Sequence, residues 1–433
     1  MISSRLSGSR RPVTSTPSAS VLIAGAMTSP SPLSPLIYAV FHCAPITTTQ
    51  RAWIGYNRGV DADGQVRSRG ETSSRIAAVA VALPDHCYDQ ADITAMVTDL
   101  VLPAGMSPAL LHRLHGNAGV EQRHLVLPLE DYAKLDGFGA ANDVFIRVGT
   151  DLGVRAVTEA LDRAGLTAQD VDLIVATSVT GIAAPSLDAR LVPRLGLRPD
   201  VKRIPIFGLG CVAGAAGVAR VHDYLLGHPD DVAVLLSVEL CSLTVQRDDP
   251  STANLVASGL FGDGAAAVVM TGARRADTAR PAPDVLSTRS RFYPGTERVM
   301  GWDIGGTGFR IVLDASVADV VGGHLADDMK AFLAESGLDT ADIRRWIAHP
   351  GGPKVLAAVQ QALALPDGAL QHAWDSLACV GNLSSASVLH VLAATLDDPA
   401  PPAGSYGVLM AMGPGFCAEL VLLRWPQDRV HGF

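Results

Sequence analysis

The chain has 433 residues, 48% hydrophobic and 18% charged, with a formal net charge of −9. That length suits two ordinary domains or one fused pair, with ample apolar material for a core. The acidic balance and the absence of a Lys/Arg cluster speak against a nucleic-acid partner, and no stretch reaches the roughly 18 uninterrupted apolar residues of a membrane span. Six cysteines (Cys43, Cys87, Cys211, Cys241, Cys379, Cys417) are scattered without CxxC pairs or metal-like spacing. A reduced, cytoplasmic setting without a structural metal is expected.

Residues 1–75 differ from the rest. They hold eight arginines, no lysine and three acids, with many Ser, Thr and Pro, and Pro30, Pro32, Pro35 and Pro45 interrupt their apolar pieces. A transit peptide has such a composition; a disordered extension, or a start assigned too far upstream, fits it better. From about Arg75 onward, helical stretches alternate with short Val/Ile/Leu-rich strands bounded by Gly and Pro. That pattern predicts an α/β fold whose sheets are buried on both faces.

An internal duplication follows. "AGLTAQDVDLIVATS" (164–178) aligns with "SGLDTADIRRWIAHP" (336–350) at an offset of 172, and "GCVAGAAGVARVHDYL" (210–225) aligns with "GNLSSASVLHVLAATL" (381–396) at 171. Two similar halves are expected, 76–272 and 273–433, each with a strand leading into a helix that starts on small residues. Cys211 opens that helix in the first half and Asn382 in the second, while His349 ends the second-half strand. The ends of such pseudo-twofold elements converge near the axis.

Each of the three residues has an ordinary alternative. A free cysteine is most often a small buried hydrophobe, a strand-end histidine a core residue, and an asparagine at a helix start an N-cap. Three such readings at duplication-related positions are less probable together than singly. A cysteine at a helix N-terminus faces unpaired N–H groups and the positive dipole end, so its pKa is expected below the free value of about 8.5, further lowered by a nearby imidazolium.

"GLGCVAGAAG", "LFGDGAAAVV", "WIAHPGGPKVL", "GNLSSASVL" and "AMGPGF" resemble, in order and spacing, the signature blocks of type III polyketide synthases, the chalcone-synthase-like branch of the thiolase fold. The resemblance spans about Ile76 to Trp425. It implies two pseudo-duplicated halves in a five-layer αβαβα arrangement, a homodimer, and a catalytic set mapping onto Cys211, His349 and Asn382. In that family the cysteine holds the growing acyl chain, while the histidine and asparagine stabilise the enolate of decarboxylating malonyl-CoA. CoA thioesters are then the substrates, with no metal and no other cofactor.

The resemblance also places Phe261 and Phe309 as gatekeepers between the CoA tunnel and the reaction cavity. Thr180, Ala184, Cys241, Thr244, Met300, Gly413 and Pro414 fall at cavity positions, and Arg113, Arg123 and Lys354 are candidates for the CoA phosphates. "VMGWDIGGTGFRIVLDASVADVV" and "TSVTGIAAPSLDARL" look closest to bacterial alkylpyrone and alkylresorcinol synthases. Small side chains at 180, 184 and 241 suggest a channel for an aliphatic tail, each buried CH₂ contributing about 0.8 kcal/mol. The expected starter is therefore a medium- or long-chain fatty acyl-CoA. The rivals are a malonyl-primed tetrahydroxynaphthalene synthase and a ketoacyl synthase III-like single condensation, against which "HPGG" speaks. A hydroxymethylglutaryl-CoA synthase would need a glutamate base, which the three catalytic blocks lack. A non-catalytic thiolase-fold subunit would not need all three of Cys211, His349 and Asn382.

Overall fold

The computed structural model describes residues 73–275 and 282–426. Apart from Ser73, Ser74 and Arg75, the proposed N-terminal extension therefore lies outside the described residues. The first strand already begins at Ser74, and Arg75 Nε is 2.9 Å from Asp284, so the last residues assigned to the extension belong to the fold.

The first half contains β1 (Ser74–Ala82), β2 (His86–Asp89), α1 (Gln90–Val101), α2 (Ala109–Gly116), β3 (Gln122–Leu125), α3 (Gly137–Ala164), β4 (Leu173–Ser178), α4 (Leu187–Leu195), β5 (Lys202–Phe207), α5 (Ala213–Gly227), β6 (Val232–Leu240), α6 (Thr252–Leu260) and β7 (Asp263–Gly272). The second contains β8 (Asp284–Phe292), β9 (Met300–Gly305), β10 (Gly308–Leu313), α7 (Val317–Ala334), β11 (Ile343–Ala348), α8 (Pro353–Ala362), α9 (Gln371–Val380), α10 (Ser387–Asp397), β12 (Tyr406–Gly413) and β13 (Cys417–Arg424).

Nine strands run in the order β11-β12-β13-β8-β1-β7-β6-β4-β5, the halves joined edge to edge where Ser74 and Arg75 pair with Val285 and Asp284. The duplication is visible in the topology. β4 runs parallel to β6 as β11 does to β12, β6 is antiparallel to β7 as β12 is to β13, and β7–β1 matches β13–β8. Strand β5 extends the first half by one edge.

Local signals explain the repeat. Gly165 and Gly337 each take φ +69°, the left-handed conformation that ends a helix at little cost to glycine. Two residues later each half has a reciprocal capping box, Thr167 with Asp170 and Asp339 with Asp342, and the chain then enters β4 or β11.

Alternation along the first-half strands sorts the core. Leu173, Val175, Ala233, Leu235, Ala266 and Val268 face α5 and α10, while Ile174, Val234, Leu236, Ala267 and Val269 face α3. Helices α5 and α10 also pack on second-half strands, so they form a shared central layer, with α3 outside one half and α7 and α8 outside the other. This is the layered thiolase-like arrangement expected.

The helix starts carry one correction. Cys211 lies in a 3₁₀ turn, Gly210–Val212, just ahead of α5, and its counterpart is the 3₁₀ turn Ser384–Ala386 ahead of α10. The residues opening these turns, Gly210 (φ +57°) and Ser384 (φ +48°), share the left-handed conformation. The structural offset here is 174, so Cys211 corresponds to Ser385, and Asn382 precedes the turn instead of opening the helix. Similar composition near both glycines hid a three-residue slip.

The central layer is close-packed at glycine. A Cβ on Gly214 would sit 2.3 Å from the Ser385 carbonyl oxygen and 2.6 Å from Val388 Cγ1, whereas one on Gly322, exposed within α7, would meet nothing. Although alanine is the better helix former by about 1 kcal/mol, Gly214→Ala is expected to destabilise by about 1–3 kcal/mol through overpacking. Gly322→Ala should stabilise by about 0.5–1 kcal/mol. Urea unfolding midpoints at unchanged m-value check both signs.

Candidate active site

The nucleophile turn is held from three sides. A Cβ on Gly210 would lie 2.8 Å from the Pro414 ring, and one on Gly413 would lie 2.6 Å from the Val212 nitrogen. Gly413 and Pro414 thus support the backbone around Cys211. From the second half, Ser384 Oγ sits 3.8 Å from Cys211 Sγ.

Cys211 is 5% exposed, and burial pushes its thiol up to about 12, with the Glu239 carboxylate acting in the same direction. The Ser384 and Asn382 side chains hydrogen-bond the sulfur and oppose that rise. The lowered pKa expected from the helix N-terminus is therefore reversed, because withdrawal from water outweighs the dipole.

Asn382 is buried between two short hydrogen bonds: its N–H donates to Leu260 O at 2.8 Å, and its carbonyl accepts from Gly262 N at 3.0 Å. Its side-chain Oδ1 accepts from Ser384 N (2.8 Å) and Ser387 Oγ (3.3 Å). With the oxygen occupied, the NH₂ end is the one left to face the sulfur.

His349 follows β11, its N–H donating to Met410 O at 2.9 Å. Its ring is buried with both nitrogens unpartnered, and burial pulls its pKa down to about 3. No hydrogen bond joins it to Cys211, and burial disfavours the charged form of both groups. A buried imidazole without partners costs about 1–3 kcal/mol, a cost that a substrate oxygen accepting from the ring would relieve.

Three side chains escaped the sequence reading. Ser384 and Ser385 belong to the mis-registered turn. Glu239, in the all-buried strand β6, is fully enclosed and accepts from Ser385 Oγ (2.5 Å), Thr180 Oγ1 (3.0 Å), Val179 N (3.1 Å) and Ser178 Oγ (3.3 Å). A glutamate therefore stands beside Cys211 after all, but its oxygens are spent on three bonds within the first half and one, from Ser385, that ties it to the second. A lone acid inside "VAVLLSVEL" was the available signal.

The predicted cavity residues separate. Cys241, Thr244 and Phe261 line a cavity of about 30 Å³ closed by Ile93, Met96, Val97 and Leu100 of α1. About 10–15 Å³ on this measure holds one water, so the small side chains do not open a channel for a long alkyl tail. Thr180 and Phe309 line a larger cavity of about 210 Å³ with Phe138, Gln246 and Arg247. Met300 joins His349, Met410 and Phe416 around a third, of about 30 Å³. Ala184 is exposed, at a cis bond to Pro185, and lines none of the three.

Of the CoA candidates, Arg113 on α2 and Lys354 on α8 are exposed. A Cβ on Gly119, just beyond α2, would touch Pro353 at 3.0 Å, so the segments carrying them meet. Arg123 is misplaced by the sequence reading. It is 2% exposed and hydrogen-bonded to Gln90, Ser258 O and Phe261 O, so it cannot reach a phosphate.

Comparison with known proteins shows the family. Residues 61–274 match the N-terminal domain of chalcone and stilbene synthases and residues 284–426 the C-terminal domain. The chain is 60% identical, over 82% of its length and 94% of the relative's, to a 1,3,6,8-tetrahydroxynaphthalene synthase of Streptomyces peucetius subsp. caesius. It is 33% identical to a phloroglucinol synthase of Pseudomonas fluorescens, over 73% of this chain and 89% of that one. The crystal structure of 1,3,6,8-tetrahydroxynaphthalene synthase from Streptomyces coelicolor A3(2) superimposes with TM-score 0.77 at 32% identity, covering 82% of this chain and all of that one. These relatives point away from the alkylpyrone and alkylresorcinol synthases.

The site's electrostatics make opposite predictions for two neighbours of Cys211. Glu239→Gln removes a negative charge that disfavours thiolate, so the midpoint of Cys211 alkylation by iodoacetamide should move down in pH by about one unit. Ser384→Ala removes a group that favours thiolate, so the midpoint should move up. The pH profile of Cys211 carboxamidomethylation, read by peptide mass spectrometry, checks both.

Proposed function

The chain belongs to the chalcone and stilbene synthase family and is a type III polyketide synthase; we propose that malonyl-CoA is both its starter and its extender, and that its product is 1,3,6,8-tetrahydroxynaphthalene. The observation that carries this reading is the 60% identity along 94% of a synthase bearing that name. The cavities support it, because the space at Cys241 and Thr244 is too small for a fatty tail, while a chain grown from two-carbon units has the larger cavity at Thr180 and Phe309 beside it.

In this reading Cys211 Sγ attacks the malonyl thioester carbonyl; the S–CoA bond breaks and CoA leaves as thiol. A second malonyl-CoA then places its thioester oxygen at the Asn382 NH₂ and a His349 N–H. Its C–CO₂ bond breaks, the electron pair passes into the enolate, and the two donors stabilise the charge that develops on oxygen. A neutral histidine, kept so by burial, suits a donor role. The enolate carbon attacks the acyl carbonyl on Cys211, the Cys211 thiolate leaves, and the chain, now on CoA, returns to the sulfur for the next round. The starter's own carboxylate must leave as CO₂ as well, so that five two-carbon units, less one water, give the ten-carbon naphthalene product. Every step is an acyl transfer, a decarboxylation or a carbonyl condensation, so CoA thioesters suffice and no metal or further cofactor takes part.

The same reading gives Lys354 and Arg113 the CoA phosphates and makes the enzyme a cytoplasmic homodimer. The free edge at β5, with Ile204 and Phe207 about half exposed near Ile182, supports a self-association surface. Among the described residues no helix is long and apolar enough to cross a membrane.

Two experiments test the reading. With malonyl-CoA as the sole thioester, liquid chromatography–mass spectrometry should detect C₁₀H₈O₄ from the wild type and none from Cys211→Ala; extension of decanoyl-CoA in preference to malonyl-CoA would overturn it. Lys354→Ala and Arg113→Ala should each raise the KM for malonyl-CoA about three- to tenfold at unchanged kcat, an effect that shrinks with added salt.

A further inference from the structure

The last four carbonyls at a helix C-terminus have no partner within the helix. Around the end of α6 each has one from elsewhere. Ser258 O accepts from Arg123 Nη1 at 2.8 Å, Gly259 O from Gln90 Nε2 at 2.7 Å, Leu260 O from Asn382 N at 2.8 Å, and Phe261 O from Arg123 Nη1 at 2.6 Å. Gln90 Oε1 in turn accepts from Arg123 Nε (3.1 Å) and Nη2 (2.8 Å), so the two side chains form one clamp.

The clamp also touches the Asn382 loop directly. Gly381 has φ +70°, and a Cβ there would meet Leu260 O at 2.8 Å and the Arg123 stem at 3.0 Å. Burial pulls the Arg123 guanidinium down to about 10, while nearby Asp263 and the carbonyl end of the helix dipole oppose that loss of charge.

We propose that Arg123, held by Gln90, is a positioning residue: by clamping the end of α6 it fixes the Asn382 backbone and Phe261 together, and so sets the aim of the Asn382 amide at the reacting thioester. The inference rests on the role given to Asn382 above. It gives the second-half catalytic loop a fastening that originates in β3 and at the start of α1. Displacing an oxyanion donor by about 1 Å costs on the order of 100-fold in rate, whereas the nucleophile turn, braced by Pro414 and Gly214, does not depend on this clamp.

The test uses full-length Arg123→Lys and Gln90→Met, with three readouts: steady-state decarboxylation of malonyl-CoA, the rate of Cys211 alkylation by iodoacetamide, and the thermal midpoint. In both variants decarboxylation kcat should fall about 10- to 100-fold at near-constant KM, with Cys211 alkylation per folded molecule reduced no further than in Asn382→Ala. Asn382→Ala combined with Gln90→Met should be no slower than Asn382→Ala alone, since both remove the same donor. Wild-type kcat in folded variants, an additive loss in the double variant, or Cys211 alkylation falling below that of Asn382→Ala would overturn the proposal. If Arg123→Lys does not fold, Gln90→Met decides. Failure of Asn382→Ala to slow decarboxylation would instead overturn the role of Asn382 itself, so the two failures are distinguishable.

Discussion

The contact on which the site depends is the approach of two helix starts across the centre of the molecule. Gly214 of α5 lies against the backbone of Ser385, leaving no room for a side chain. That approach brings Ser384 to 3.8 Å from Cys211 and lets Ser385 reach Glu239. It also seals the sulfur from water. The same small residues that allow the halves to meet thus make thiolate expensive in the absence of substrate, and the groups that relieve this expense, Ser384 and Asn382, come from the opposite half. Neither half could build the nucleophile's environment alone.

Much of this was legible in the sequence because glycine and capping chemistry leave local marks. The left-handed Gly165 and Gly337, and the acidic caps after them, can be read without coordinates, and they fix where β4 and β11 begin. His349 follows from the same repeat, at the end of β11, whereas the pairing of Cys211 with Asn382 came from a slipped register. The slip at the helix starts came from a region where every residue is small: one three-residue shift matches Gly and Ser about as well as another, whereas the left-handed turn at Gly210 and Ser384 admits only one register. Glu239 had a local signal, a charge in an apolar strand. What it binds had none, since Thr180 and Ser385 come from distant parts of the chain.

Arg123 and the proposed acyl channel fail for one common reason. A sequence shows side-chain size and charge, but not which surface is covered. Arg123 has the charge of a phosphate ligand, yet the end of α6 and Gln90 engage its donors internally. Cys241 and Thr244 are small, but whether small means open is decided by α1, far away in the chain, whose Ile93, Met96, Val97 and Leu100 close the space. Substrate choice in such an enzyme is thus set by what lies opposite the variable positions as much as by the positions themselves. This is why a substrate class read from two segments and a few small cavity residues pointed away from the relatives found.

The electrostatics of the three central residues form a consistent set once ion pairing is set aside. Burial disfavours the charge on both the Cys211 thiol and the His349 imidazole. Transferring a proton between them would place two charges in a medium that penalises each, with no hydrogen bond to share the load. In the proposed reaction an incoming malonyl thioester alters this balance by bringing polar atoms to the unpartnered His349 nitrogens and by developing negative charge opposite the Asn382 NH₂. Donors that are dry and fixed before the reaction need no reorganisation during it, and in a low-dielectric site each is worth more than in water. The burial that holds the thiol neutral at rest is therefore the same property that makes enolate stabilisation strong. A more solvated site would gain on the first count and lose on the second.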